Sequence, residues 1–311
     1  MMLTRDRLAS AVTGTRTPAC FLPFTRWAAL LSLSGLAALT VAGPLRTGSA
    51  WAAPSDCPPG VPCQPEPSTV DDATGTIGES VQGKPILAYR FGNGTSIRAV
   101  VAGIHGGYEW NTLAQAEALI EHLTDHPEEV PRQTTLWIVP ALNVDGYARG
   151  HNRDGRANAR GVDLNRNFPA LWQAEWPRAG CWDLGPITAG EAPASEPETL
   201  AMMEFLLGEH VEALVSYHSA ALGIYAGGQP VDPRSEHLAK TLSAASGYRY
   251  PPRDLGCRYT GQLIDWAAAN GITAVDVELP TRHGKDFEEN LALLRAFLEW
   301  SPSTAASDPS S

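Results

Sequence analysis

Between Ala99 and Trp110 the chain reads AVVAGIHGGYEW, a short apolar run that ends in a histidine, two glycines and a glutamate. A continuous apolar run of this length is a strand buried on both faces, the kind that parallel sheets contain. Such a strand would leave His105 and Glu109 just past its carboxyl end, where open α/β sheets place their ligands. Gly106 and Gly107 let the backbone turn sharply enough to bring both side chains to one point, and imidazole with carboxylate is a zinc-binding pair. Two donors do not make a metal centre. Taken alone, His-x-x-x-Glu is also a polar turn leading into a helix.

Further strands are expected at Thr135–Val139, Ala213–Tyr217 and Ile272–Leu279, the last with Glu278 near its end. Between these strands lie helical patterns. Leu113, Ala116, Leu119, Ile120 and Leu123 share one face, Ser195-Glu196-Pro197-Glu198 reads as a capping box opening a helix through Leu207, and further helices are expected near Ser235–Ser246 and Leu263–Asn270. Asp286 is expected to cap a last helix carrying Phe287, Leu291, Leu294 and Phe297. Pro85–Phe91 and Ser96–Ile104 flank the turn signal Gly92-Asn93-Gly94 and read as a hairpin. Alternating β and α elements predict an α/β fold with a mixed, mostly parallel central sheet and helices on both faces. His105, Asn143, His218 and Glu278 each follow or close a predicted core strand, so one fold rule brings all four to the same sheet edge.

The first residues read as a targeting segment. Arg5, Arg7, Arg16 and Arg26 precede the apolar Trp27–Gly43 and the small-residue site Ala50-Trp51-Ala52, the pattern of a secretory signal over 1–52. Export to the medium, periplasm or cell envelope is expected, with no membrane contact after cleavage. Removing that segment takes away five Arg and one Asp and moves the net charge from −11 to −15, which argues against a nucleic-acid partner. Residues 53–75 form a Pro-rich segment, 76–300 one catalytic domain and 301–311 a disordered polar tail. Cys57, Cys63, Cys181 and Cys257 survive cleavage; three pairings are open, of which Cys57–Cys63 with Cys181–Cys257 is favoured, and free thiols remain an alternative.

A catalytic zinc takes three protein donors and keeps one position open, and His105, Glu109 and His218 supply such a set, with Glu278 the candidate base. The segment Gly155–Phe168, GRANARGVDLNRNF, closely resembles the zinc metallocarboxypeptidases of the carboxypeptidase A/B type. Glu109-Trp110, Asn143-Val144-Asp145-Gly146, Ser195-Glu196-Pro197-Glu198, His218-Ser219, Ile264-Asp265-Trp266 and Val277-Glu278-Leu279 extend the resemblance from about Ile77 to Trp300. The resemblance implies one zinc per chain on His105, Glu109 and His218, with Asp163 orienting His105. It implies Arg156 as the oxyanion stabiliser, Asn165 and Arg166 as the clamp on a substrate's terminal carboxylate, and Glu278 as general base and then proton donor to the leaving amine.

The sequence departs from the family pattern at two points. The first ligand pair of the family is usually His-x-x-Glu, one residue shorter than His105 to Glu109, and ungapped spacing puts Cys257 where a substrate-capping tyrosine is expected, leaving Tyr259 as the nearest phenol. Asp276 points to the same strand face as Glu278 and by resemblance lines the pocket for the C-terminal side chain, together with Ile264. A buried unpaired charge costs several kcal/mol against about 1 for a displaced methylene, so either a substrate cation or an arginine such as Arg253 or Arg258 should pair with Asp276. The expected protein is a secreted, monomeric zinc carboxypeptidase acting on peptides with a free C-terminal carboxylate and favouring basic residues. The alternatives are a peptidoglycan peptidase cutting before diaminopimelate, and a non-catalytic binder of peptide C-termini.

Overall fold

The computed structural model describes residues 74–178, 181, 187–254 and 256–302. All belong to one compact unit spanning 64–311. The expected signal segment, Cys57 with Cys63, all but the last two residues of the Pro-rich segment and nearly all of the tail lie outside the described residues. Among the described residues no helix is long and apolar enough to cross a membrane.

Seven strands form one mixed sheet in the order β1-β2-β4-β3-β5-β7-β6. They are β1 (Thr74–Glu79), β2 (Pro85–Phe91), β3 (Ser96–Val101), β4 (Thr134–Val139), β5 (Ala213–Ser219), β6 (Gly223–Ala226) and β7 (Thr273–Leu279). The central four, β4-β3-β5-β7, are parallel; on one side β2 pairs antiparallel with both β4 and β1, and on the other β6 pairs antiparallel with β7. The apolar runs sit at the centre because only there is a strand covered on both faces; every residue of β5 is buried.

Two expectations about local structure fail. β2 and β3 are not a hairpin: β4 lies between them, and β2 instead pairs through a tight turn with β1, which begins two residues before the expected domain start. The local turn signal could not reveal that a strand from later in the chain would insert. Ser195 is not a helix cap either. Helix α3 (Pro197–Gly208) has Glu196 at its N-cap without a side-chain cap bond, and the Ser195 hydroxyl donates to Glu196 Oε1 at 2.7 Å. The acids of that motif serve another segment, for Asn158 Nδ2 donates to Glu196 Oε2 at 2.7 Å and to Glu198 Oε2 at 3.1 Å. Asp286 does precede the last helix, α6 (Phe287–Glu299), but in a left-handed conformation and without a side-chain cap bond.

Helices cover both faces, and the short α2 (Val144–Arg149) follows β4. α1 (Trp110–Asp125), α4 (Pro233–Ser246) and α6 pack on one face through Leu119, Leu123, Leu238, Leu242, Leu294 and Phe297, against Val215, Tyr217, Val275 and Val277. α3 and α5 (Leu263–Ala269) pack on the other through Met202, Leu206, Leu263 and Trp266, against Leu214 and Ala274. Strand alternation therefore turns Ser216 and His218 of β5, and Asp276 and Glu278 of β7, toward the α3/α5 face. In the parallel pairing of these two strands Ser216 lies opposite Asp276 and His218 opposite Glu278.

Candidate active site

The chain between β3 and α1 passes through a 3-10 turn, Gly106–Glu109, which absorbs the extra residue of His-x-x-x-Glu. Gly106 has φ +46°, and a Cβ there would lie 2.5 Å from Gly155 O; one on Gly107 would lie 2.2 Å from Gly150 O. The two glycines thus let the 146–155 segment press against the ligand turn. Glu109 Oε1 comes to 2.9 Å from His105 Nδ1, and the two His Nδ1 atoms face each other at 3.1 Å. His105, Glu109 and His218, all buried, offer one donor atom each within 4.8 Å of one another.

The second nitrogens decide what this cluster is suited to hold. His105 Nε2 lies 3.2 Å from Asp163 Oδ1, which places its proton on that side and leaves the Nδ1 lone pair facing inward. His218 Nε2 lies 3.1 Å from Ser216 Oγ and 3.4 Å from Asp276 Oδ1, whose charge favours the proton on Nε2 over the neutral amide of Asn165, also at 3.4 Å. Two inward lone pairs and a carboxylate repel one another unless a cation lies between them. The donor set therefore fits a zinc ion with one position left for a further ligand.

Electrostatics point the same way. Burial would raise the Glu109 pKa, but the imidazoles of His105 and His218 hold it well below the usual carboxylate range. Burial would likewise discourage a proton on His218, yet Asp276 and then Glu109 raise its affinity for positive charge well above normal. Asp163 is kept ionised against burial by Arg156 and His105.

Arg156 bridges the ligands' supports: its Nη1 donates to Glu109 Oε1 at 3.0 Å and its Nε to Asp163 Oδ2 at 3.0 Å. Glu278 accepts from Ala221 N at 2.9 Å, and burial pushes its pKa up to about 7, where a carboxyl can exchange protons near neutrality. Asn165 is fixed by Leu263 N, which donates to its Oδ1 at 2.9 Å. The buried Arg166 donates through Nη1 to Asn165 O at 2.6 Å, and its guanidinium stacks on Tyr259 and Trp176, 5.2 and 5.9 Å from the ring centroids. Arg166 Nε, although buried, has no hydrogen-bond partner among the described residues.

Asp276 is buried beside this clamp. Its ion pair among the described residues is with His218, not with Arg253 or Arg258, and its Oδ1 has no aligned hydrogen bond. The neighbouring Asp265 differs, because it accepts from Gly228 N at 2.9 Å and from Gln229 Nε2 at 2.6 Å. Ile264 is buried in the core packed under α5. Cys257 is joined to Cys181 in a disulfide, which leaves Tyr259 as the phenol over Arg166.

One cavity is lined by the metal donors together with Arg156, Asn165, Arg166, Tyr259, Asp276 and Glu278. It also takes in Tyr108, Trp176, Tyr225, Gln262 and Arg282, which the motifs do not mark. Tyr225 could have been found only from the sheet: it lies opposite Asp276 in the antiparallel pairing of β6 with β7. Trp176 has no sequence signal, since an irregular segment brings it in.

Fold and donor set together define a metal-dependent hydrolase of the α/β class. The chain belongs to the zinc carboxypeptidase family, whose model matches residues 72–289. Among curated relatives it is 31% identical over 230 residues to gamma-D-glutamyl-L-diamino acid endopeptidase 1 of Lysinibacillus sphaericus, covering 61% of this chain and 56% of that protein. It is 28% identical over 231 residues to human carboxypeptidase A6, covering 63% of this chain and 52% of the relative. It is 28% identical over 214 residues to murein peptide amidase A of Escherichia coli K12, covering 66% and 81%. The chain thus spans about half the length of the first two. Among solved structures, the murein-tripeptide amidase of Escherichia coli O157 superposes with a TM-score of 0.57 at 25% identity, covering 74% of this chain and 93% of that one.

Proposed function

We propose that this chain is an exported zinc peptidase that hydrolyses the amide bond before a terminal residue bearing a free α-carboxylate and a side-chain amine, with diaminopimelate, Lys or Arg as that residue. The observation that carries the reading is a pair of groups lining one cavity: Arg166 Nε, a buried donor without a hydrogen-bond partner among the described residues, and Asp276, a buried carboxylate whose Oδ1 has no aligned hydrogen bond and only the long 3.4 Å ion pair with His218. Buried polar groups are rarely left so, and a ligand with one carboxylate and one ammonium group complements both. Two relatives, named for a γ-D-glutamyl–diamino acid bond and for murein peptides, support diaminopimelate as the physiological form of that residue.

In this reading His105, Glu109 and His218 hold the zinc, which supplies Lewis acidity at the reaction centre. Arg166 and Asn165 fix the terminal carboxylate, with Tyr259 over the guanidinium. Glu278 accepts the proton of the attacking water and passes it to the leaving nitrogen. Arg156 stabilises the charge that develops on the carbonyl oxygen, an effect of about 3 kcal/mol for a single donor. A single domain working as a monomer suffices.

The test is kcat/KM of the zinc-loaded protein on matched peptides ending in diaminopimelate, Lys, Arg, Leu and Phe, each with a free or amidated terminus. Cleavage confined to free termini, with an amine preference lost in Asp276→Asn, is expected. Faster cleavage of Leu or Phe would reduce Asp276 to a support for His218, and binding without cleavage would make the protein a receptor for peptide ends.

A further inference from the structure

The cavity has a second side, away from the carboxylate clamp. Tyr108 immediately precedes the ligand Glu109, and the Arg282 guanidinium lies over its ring, 4.5 Å from the centroid. Both residues line the cavity. Arg282 stands on the loop that follows β7, and that loop is held in place. Asn111 Nδ2 of α1 donates to Thr281 O at 2.7 Å and to Gly284 O at 2.9 Å. Asn111 Oδ1 in turn accepts from Ser219 Oγ at 2.9 Å, which ties the loop to the end of the strand carrying His218. Arg282 is therefore positioned by the same elements that position the metal donors.

The two arginines are held by different elements. Arg166 follows Asn165, which Leu263 of α5 holds, whereas Arg282 stands on the loop fastened by Asn111 of α1. The Arg156 guanidinium also lies over Tyr108, 5.9 Å from the ring centroid, so a substrate whose terminal carboxylate sits at Arg166 and whose scissile carbonyl sits at Arg156 has its acyl part within reach of Tyr108 and Arg282. This step rests on the function proposed above. The cavity as a whole also presents Glu109, Asp163, Asp276 and Glu278, a field that would repel an acidic acyl group unless a cation met it.

We infer that Arg282 is a specificity-determining residue for the acyl side, selecting an acyl residue that carries a free carboxylate close to the scissile bond. A γ-linked glutamyl residue has this chemistry: its side-chain carboxyl forms the amide while its α-carboxylate stays ionised one short chain away. A guanidinium has five donors in a planar fork, so it can receive that carboxylate and keep the contacts that it already makes. The preferred substrate then has a carboxylate before the cleaved bond, and a carboxylate and an amine after it.

The test compares N-acetyl-γ-D-glutamyl-lysine with the same compound amidated at the glutamyl α-carboxylate, in zinc-loaded wild type, Arg282→Gln and Arg282→Lys. In wild type the amidation should lower kcat/KM by roughly 10- to 100-fold, the worth of one charge-assisted hydrogen-bonded pair. In Arg282→Gln the two substrates should agree within about 3-fold, with Arg282→Lys between, because a point charge lacks the fork. A merely structural role would slow both substrates equally, and that result overturns the assignment, as does a wild type indifferent to amidation. Should Arg282→Gln fail to fold, Arg282→Lys and the fall of the wild-type ratio with added salt decide the matter. Holding lysine constant separates this from the leaving-residue preference, whose failure would change both rates and leave their ratio intact. A protein that cuts neither compound overturns both readings.

Discussion

Asp163 is the residue whose replacement is most informative, because each of its oxygens serves a different part of the site. Oδ1 faces His105 Nε2 at 3.2 Å and accepts from Asn165 N at 3.0 Å, while Oδ2 accepts from Arg156 Nε at 3.0 Å and lies 2.9 Å from its Nη2. An Asp163→Asn side chain keeps the shape but has one acceptor oxygen. If its amide nitrogen faces His105, the imidazole must move its proton to Nδ1, the atom that would bind zinc. If instead the nitrogen faces Arg156, two donors meet donors and the guanidinium is pushed from its place. The first arrangement should weaken zinc by roughly 10- to 100-fold, the usual effect of removing a ligand's hydrogen-bonded support. The second should lower kcat/KM by about 100-fold or more even with zinc saturating, as loss of an oxyanion donor does. Both effects are expected in part, since the amide can flip. Competition against a chromogenic chelator measures the affinity, and kcat/KM at zinc far above the new Kd measures the rest. A variant whose activity is fully restored by excess zinc would show that Arg156 does not depend on Asp163, and wild-type affinity would refute the role at His105.

Replacing Glu278 by Gln should leave zinc bound but lower turnover by roughly 100-fold or more. With the Glu278 pKa at about 7 and the base active when deprotonated, wild-type kcat/KM should rise with pH toward neutrality. A bound dication draws that midpoint lower, and the limb should vanish in the Gln variant, which a pH–rate profile checks. Chelation should abolish activity and lower Tm, with zinc restoring both; at zinc 1,000-fold above Kd the stabilisation is about 4 kcal/mol by linkage, measurable by calorimetry. Gly107→Ala should cost zinc affinity and activity together, since its Cβ would meet Gly150 O at 2.2 Å; an active, stable variant would show that the 146–155 segment can move aside freely.

The parts of the fold that could be read from residue order are those made by long-lived local patterns. β3, β4, β5 and β7 are each built around a short apolar core, as burial on both faces demands, with the polar residues of β5 and β7 gathered toward their carboxyl ends. β1 and β6 are edge strands, one interrupted by glycines and the other four residues long, so neither has to satisfy a strong pattern. The mistaken hairpin of β2 with β3 has the same origin, because pairing with β4 depends on residues more than forty positions away. In the site, the motif residues were legible since each repeats a chemical requirement of metal, oxyanion or carboxylate. Tyr108, Tyr225 and Arg282 are brought in by a turn, a strand register and an asparagine-held loop, none of which leaves a composition signal.

His218 and Glu278 occupy the same rung of adjacent parallel strands. Their spacing is consequently a property of the sheet's backbone ladder rather than of any loop, and it survives whatever happens to the segments above. For an engineer this divides the molecule into a chassis and a face. The loops bearing Trp176, Tyr259 and Arg282 can be exchanged to admit a different amide, and the distance between base and metal donor will travel with the strands. A one-residue insertion in β7 before Glu278 would do the opposite: every substrate contact on those loops could persist, while the base turned to the far side of the sheet.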